Sequence, residues 1–227
     1  MNQDTFQKVF TIGREGNQPF PITDKQKRVS RKHCSIKVEG ERFSIKDLGS
    51  ANGTSVRDDK TGEIKIVPID EYMEISPFSL VCLGESSKEG CTFYPYTLVS
   101  PEDYRPIFDF LRDKEDSFDE ETANLEKRIS MQKKIVFALN FVVLLASFDC
   151  PKLGLTIDQE TRMWMLRIVP LASTGFAAFY DASSKKKRIE EKRKNFHHCP
   201  NPSCYRMLRT DEIRMGICKC MKTKKKQ

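Results

Sequence analysis

Histidine is scarce in this chain, three in 227 residues, which leaves little for acid–base catalysis. No Walker-type phosphate loop, protein-kinase signature or nucleophile elbow occurs along it, so an enzyme is not expected. The start, MNQDTFQKVF, lacks a basic stretch followed by an apolar run; no cleavable secretory leader is expected, and cytosolic surroundings are. An excess of one charge is also missing from residues 1–98, where 14 Lys and Arg face 14 Asp and Glu. The formal net charge of +7 arises elsewhere: residues 99–126 hold 3 basic against 10 acidic side chains, and residues 185–227 hold 15 against 4. Nor do the eight cysteines read as a disulfide framework. Cys34, Cys82, Cys91 and Cys150 are scattered, as ordinary thiols of a reducing compartment would be, and only the last four cluster.

What is present is concentrated between residues 13 and 54. Gly13-Arg14, then Ser30-Arg31-Lys32-His33, then DLGSANGT from Asp47 to Thr54, each fall at a turn between strand-like runs. The runs are KVFTI, CSIKV, RFSIKDL and SLVCLG, rich in β-branched and aromatic residues and bounded by turn formers. Loops at one end of a rigid β scaffold that offer Arg, Ser, a further Arg or Lys, and Asn suit a doubly charged phosphate and the backbone beside it. One departure from a minimal scaffold is the longer, charged hairpin in SVRDDKTGEIKIVPID after Thr54.

In this order and at these separations the residues resemble the forkhead-associated (FHA) domain, a β-sandwich that binds phosphothreonine peptides. The resemblance covers roughly residues 1–98. It implies that Arg14 and Ser30 contact the phosphate, that Arg31 or Lys32 adds a further charge, and that Asn52 holds the peptide backbone. Gly13, His33, Gly53 and Thr54 would shape the loops. A phosphothreonine-containing protein and an upstream Ser/Thr kinase are the implied partners.

Beyond the sandwich, residues 99–134 read as a helical linker that turns from acidic to basic. Within it Thr122, in DEETANLE, has acidic residues before it and Leu125 three positions after, and so resembles a tethered ligand for the domain itself; as a plain linker threonine it would cap a helix. Residues 135–182 contain two apolar segments, 135–148 and 163–182. With KRISMQKK before the first and KKKRIEEKRK after the second, they are expected to form a transmembrane hairpin in a lipid bilayer, a multi-pass protein with both ends cytoplasmic. The other reading is a soluble helical hairpin that dimerises, with a tail that contacts nucleic acid or protein.

Residues 183–227 form a basic tail. Cys199 and Cys204 flank a Pro-containing turn, and Cys218 and Cys220 follow after 13 intervening residues. Four thiolates from two turns can enclose a tetrahedral zinc, which would order a segment (197–220) too small for a core of its own. The spacings are x4 and x1 rather than the usual x2 pairs, so the segment is only zinc-ribbon-like, and His197 or His198 could replace one cysteine. The expected chain is thus an all-β sandwich, a helical linker, a two-helix transmembrane hairpin and a small zinc-ribbon-like segment: a membrane-tethered phosphothreonine-peptide adaptor with structural zinc.

Overall fold

The computed structural model describes residues 7–22, 28–84, 91–146, 158–161, 163, 164, 167, 182–204 and 206–222. Eight strands come first: β1 (Gln7–Ile12), β2 (Cys34–Glu39), β3 (Arg42–Asp47), β4 (Thr54–Arg57), β5 (Ile64–Ile66), β6 (Met73–Ile75), β7 (Leu80–Leu83) and β8 (Cys91–Phe93). Helices α1 (Tyr96–Val99), α2 (Arg105–Ala146), α3 (Ala182–Phe196), α4 (Thr210–Met215) and α5 (Lys219–Lys222) follow. The chain divides into two compact units, residues 1–115 with 192–227, and residues 116–191.

The first unit is built on two antiparallel sheets, ordered β1-β2-β3-β6 and β5-β4-β7-β8. The first sheet follows the alternation its sequence prescribes. In RFSIKD of β3, Phe43, Ile45 and Asp47 are buried while the residues between them are not, because successive side chains leave a strand on opposite faces. The register sets Phe10, Ile36, Ile45 and Met73 side by side, and the facing sheet supplies Val56, Val81, Leu83 and Phe93 to the same core.

The second sheet breaks the alternation. Every residue of β7 (LVCL) and β8 (CTF) is buried. A continuous apolar run in a strand means that both faces are covered. Val81 and Leu83 face the core, so Leu80 and Cys82 look outward, in register with Arg57 and Ser55 of β4. The outward face is closed by the first turns of α2 and by the C-terminal segment. Phe78, just before β7, stacks on Phe110 of α2 with ring centroids 5.2 Å apart, and Phe110 meets Phe196 edge-on at 6.5 Å.

The expected transmembrane hairpin is overturned: no helix among the described residues is long and apolar enough to cross a membrane. The apolar end of α2 runs from Ile135 to Ala146, about a dozen residues and roughly 18 Å of helix at 1.5 Å per residue, against the ~30 Å of a bilayer core. Lys133 and Lys134 halt it on one side. Only Met163, Trp164, Arg167 and Ala182 of the second apolar segment lie within the described residues. A multi-pass membrane location and the bilayer as partner are corrected with it. The fold class is therefore a β-sandwich with helical additions. In the second unit, exposed Lys186 of α3 pairs with Glu126 of α2 at 3.1 Å.

Ile45 is wholly buried at the centre of the first sheet. Ile45→Ala is expected to lower the unfolding free energy by about 3–4 kcal/mol through lost burial and a residual cavity, measured by denaturant titration of the full chain.

Candidate functional site

The loop between β1 and β2 must fold back on itself at Gly13. A Cβ there would lie 2.2 Å from the Arg31 carbonyl oxygen and 2.8 Å from that of Ser30, so no side chain fits. The close approach lets the Arg14 N–H donate to Ser30 O (3.1 Å) and the Glu15 N–H to Arg31 O (2.9 Å). The Arg14 side chain is fixed from below by its Nε, which donates to Val29 O at 2.7 Å. Its exposed end then lines a depression of about 640 Å³ with Glu15, Ser30, Arg31 and Lys32.

His33 is fully buried beneath these residues. Its Nδ1 accepts from the Ser30 N–H at 3.0 Å, so the ring proton sits on Nε2, which donates to Gly53 O at 2.9 Å. One imidazole therefore joins the loop before β2 to the loop before β4. Gly53 has φ 69°, a conformation glycine adopts without strain; its oxygen also accepts from the Gly84 N–H at 3.0 Å. Next to it, the Asn52 amide donates to Arg28 O (2.8 Å), and the Ala51 N–H donates to Ser30 Oγ (3.2 Å).

Asp47 is the part of this site that sequence reasoning missed. Its buried carboxylate accepts from Ser50 N–H (2.7 Å), Ser50 Oγ (2.7 Å) and Thr54 Oγ1 (2.5 Å). Burial alone would raise its pKa, but these hydrogen bonds hold it below the ordinary carboxylate value. Asp-x-x-Ser in DLGS was the available signal, since a side chain that bonds its own loop backbone is an Asx-type turn. Arg14, Ser30, Arg31 and Lys32 thus share one depression, with Asn52 tied to its rim. Thr122 is placed inside α2, its hydroxyl donating to Phe118 O at 2.8 Å; to be offered as a tethered ligand, that turn of helix would have to open.

The four C-terminal cysteines also converge. Their sulfurs all lie within 4.8 Å of one another, with Cys199 to Cys220 at 3.7 Å and Cys204 to Cys218 at 3.8 Å. A tetrahedron with metal–sulfur bonds of ~2.3 Å has edges of about 3.8 Å, so the donor set fits a tetrahedral metal. Neither histidine joins the group. His197 is bonded through Nε2 to Glu115, and burial, with the charges of Arg57 and His197, pushes His198 down to about 4. Burial raises the Cys218 thiol, yet Arg206 donating to its sulfur at 3.3 Å and hydrogen bonds from Cys220 and Cys199 bring it down to about 7. Arg206 is in turn held by Glu212 at 2.5 Å.

Residues 10–77 match the FHA domain family. The chain carries an FHA domain. The match is to a binding module, not a catalytic family. Among solved structures, full-length yeast Pml1p is 20% identical over 37% of this chain and 59% of its own, with a TM-score of 0.29. A second structure, of the yeast Pml1 splicing factor and its integration into the RES complex, is 20% identical over 37% and 58%, with a TM-score of 0.30. The FHA domain of CT664 from Chlamydia trachomatis is 28% identical over 34% and 69%, with a TM-score of 0.26. The chain spans less than two thirds of the Pml1 chains it matches. No curated protein matches it.

Replacing His33 by Ala would orphan the Ser30 N–H and Gly53 O and leave a cavity under the FHA loops. The expected loss of stability is about 2–4 kcal/mol, whereas exposed Lys32→Ala should change it by less than about 0.5 kcal/mol. Equilibrium unfolding of the two variants side by side checks the contrast.

Proposed function

We propose that the protein is an adaptor whose FHA domain binds phosphothreonine peptides and whose C-terminal cysteines hold a structural zinc ion. The observation that carries the first part is the cationic depression in which Arg14, Ser30, Arg31 and Lys32 meet. A phosphate dianion seated there accepts charge-assisted hydrogen bonds from the Arg14 guanidinium and the Ser30 hydroxyl, with Arg31 or Lys32 adding charge. Asn52, steadied by Arg28 O, keeps its Oδ1 and one N–H for the backbone of the peptide. Because Arg14 and Ser30 are fixed by main-chain contacts before the ligand arrives, little ordering entropy is lost on binding. The phosphate itself comes from a Ser/Thr kinase acting on the partner protein.

Zinc is favoured over other metals by an all-thiolate donor set at tetrahedral spacing. With all four positions taken by protein, the ion would order the tail and supply no chemistry. Exposed Arg209, Arg214 and Lys219 give that tail the cationic surface a contact with protein or nucleic acid would use. This is the scaffold reading without a membrane.

The test is titration of the full chain with a phosphothreonine peptide and its unphosphorylated twin. Binding should require the phosphate, and Arg14→Ala should weaken it by roughly 100-fold, the loss of one charge-assisted contact of about 2–3 kcal/mol. Equal affinity for the two peptides would sink the proposal.

A further inference from the structure

The outer face of the second sheet carries groups that a free-standing sandwich would not bury. Arg57, at the end of β4, is only 4% exposed, and its Nη1 donates to the carbonyl oxygen of Asn195. The Tyr94 hydroxyl, after β8, reaches Phe196 O and His198 O at 3.5 Å. On the α2 side, Glu115 is 1% exposed and bonded to His197, and the Lys114 ammonium sits over the rings of Phe110 and Phe196 at 5.7 and 5.5 Å.

Every one of these partners lies in residues 195–198, immediately before the first clustered cysteine. This short segment has no strand neighbour in the sandwich. It is held straight by its own module: the Leu208 N–H donates to His197 O at 2.6 Å and the Cys199 N–H to Arg206 O at 3.0 Å. The turn joining those two pieces is bounded by Cys199 and Cys204, and Cys218 and Cys220 close on it from α5 and the residues before it. Helices α4 and α5, of 6 and 4 residues, are too short to order such a segment alone, so metal-binding energy is its folding energy.

We propose that a metal ion held by Cys199, Cys204, Cys218 and Cys220 works as a clasp that keeps residues 195–198 on the back of the FHA sandwich. This rests on reading the cluster as a metal site and is independent of what the loops at Arg14 and Ser30 bind. The phosphopeptide-reading unit is then larger than its family match: the sandwich, the first turns of α2 and the clasped tail form one body, stabilised by metal. Loss of the ion frees the tail and uncovers Arg57, Leu80, Cys82 and Tyr94 together, although all of them lie far from the cluster in sequence.

The experiment uses the full chain, as purified, after treatment with chelator and reductant, and after zinc is returned. Metal content and hydrogen exchange are read on each sample, with no phosphopeptide present. One ion per chain is expected, and its removal should reduce amide protection in β4, β7, β8 and residues 195–199 by roughly 100-fold, with zinc restoring it and β1 to β3 changing much less. Phe196→Ala separates docking from metal binding: it should keep the ion and still lose protection in β7 and β8. Protection of 195–199 that survives removal of the ion, or a chain that never binds zinc, overturns the clasp. Failure of the phosphothreonine titration alone would leave these readings untouched.

Discussion

A loop at the end of a sandwich can receive a charged ligand only if its own backbone is secured from beneath, and here the securing group is the imidazole of His33. It is uncharged as placed, accepting on Nδ1 and donating from Nε2, and it lies in a site from which water is excluded. In such surroundings a hydrogen bond is electrostatically stronger than in water, and an unpaired polar group costs more. Ser30 therefore presents its hydroxyl at a fixed place, and the Asn52–Gly53 turn is positioned against the same ring. Asp47 does for the interior of the 47–54 loop what His33 does between loops, with Thr54 and Ser50 closing on one buried carboxylate. The cations of the site need no such support: Arg31 and Lys32 are exposed and contribute field more than geometry.

The opposite side of the molecule solves a different problem. A guanidinium such as that of Arg57 is expensive to take out of water, and burial indeed lowers its pKa. Main-chain carbonyl oxygen is the available compensation, and Asn195 supplies it. The Glu115 carboxylate, equally buried, takes His197 as its partner, with Arg193 at 3.9 Å. Buried pairs of this kind are weak evidence for net stability, because desolvation offsets attraction. What they provide is selectivity: removing one member leaves a charge stranded, so the segment docks in one register or not at all.

How much of this could be read from the sequence depends on the range of each interaction. The runs KVFTI, CSIKV, RFSIKDL and SLVCLG lie on β1, β2, β3 and β7 because period-two patterning is local. Gly13, Ser30, His33 and Asn52 are legible because their order and spacing survive in one dimension. SLVCLG carried a further message, a strand covered on both faces, but nothing in the run could say that the cover begins 112 residues later at Asn195. Arg57, Tyr94 and Glu115 gave no local signal for the same reason. The apolar end of α2 misled for the opposite reason. A dozen apolar residues flanked by lysines have the local look of a short membrane span, and only the continuity of the helix back through the acidic residues to Arg105 separates the two. The spacing of Cys218 and Cys220 looked too tight for two ligands, yet with Cys218 just before α5 and Cys220 inside it, both sulfurs reach the same point.

The two ends of the unit meet in one short strand. β4 begins at Thr54, whose hydroxyl closes the Asp47 loop, and ends at Arg57, which holds the tail; at ~3.3 Å per residue these anchors are about 10 Å apart. Between them Ser55 and Val56 pair with β5 on one side and β7 on the other, and Val56 is packed in the core. A strand secured in this way does not slide or bend by fractions of an ångström, since a close-packed interior has few soft directions. Any influence of the tail on the phosphate loops therefore cannot be a graded reshaping of Asn52 and Gly53. It has to act through whether the second sheet is folded, which makes the back of the sandwich a support for the site and not a gate upon it.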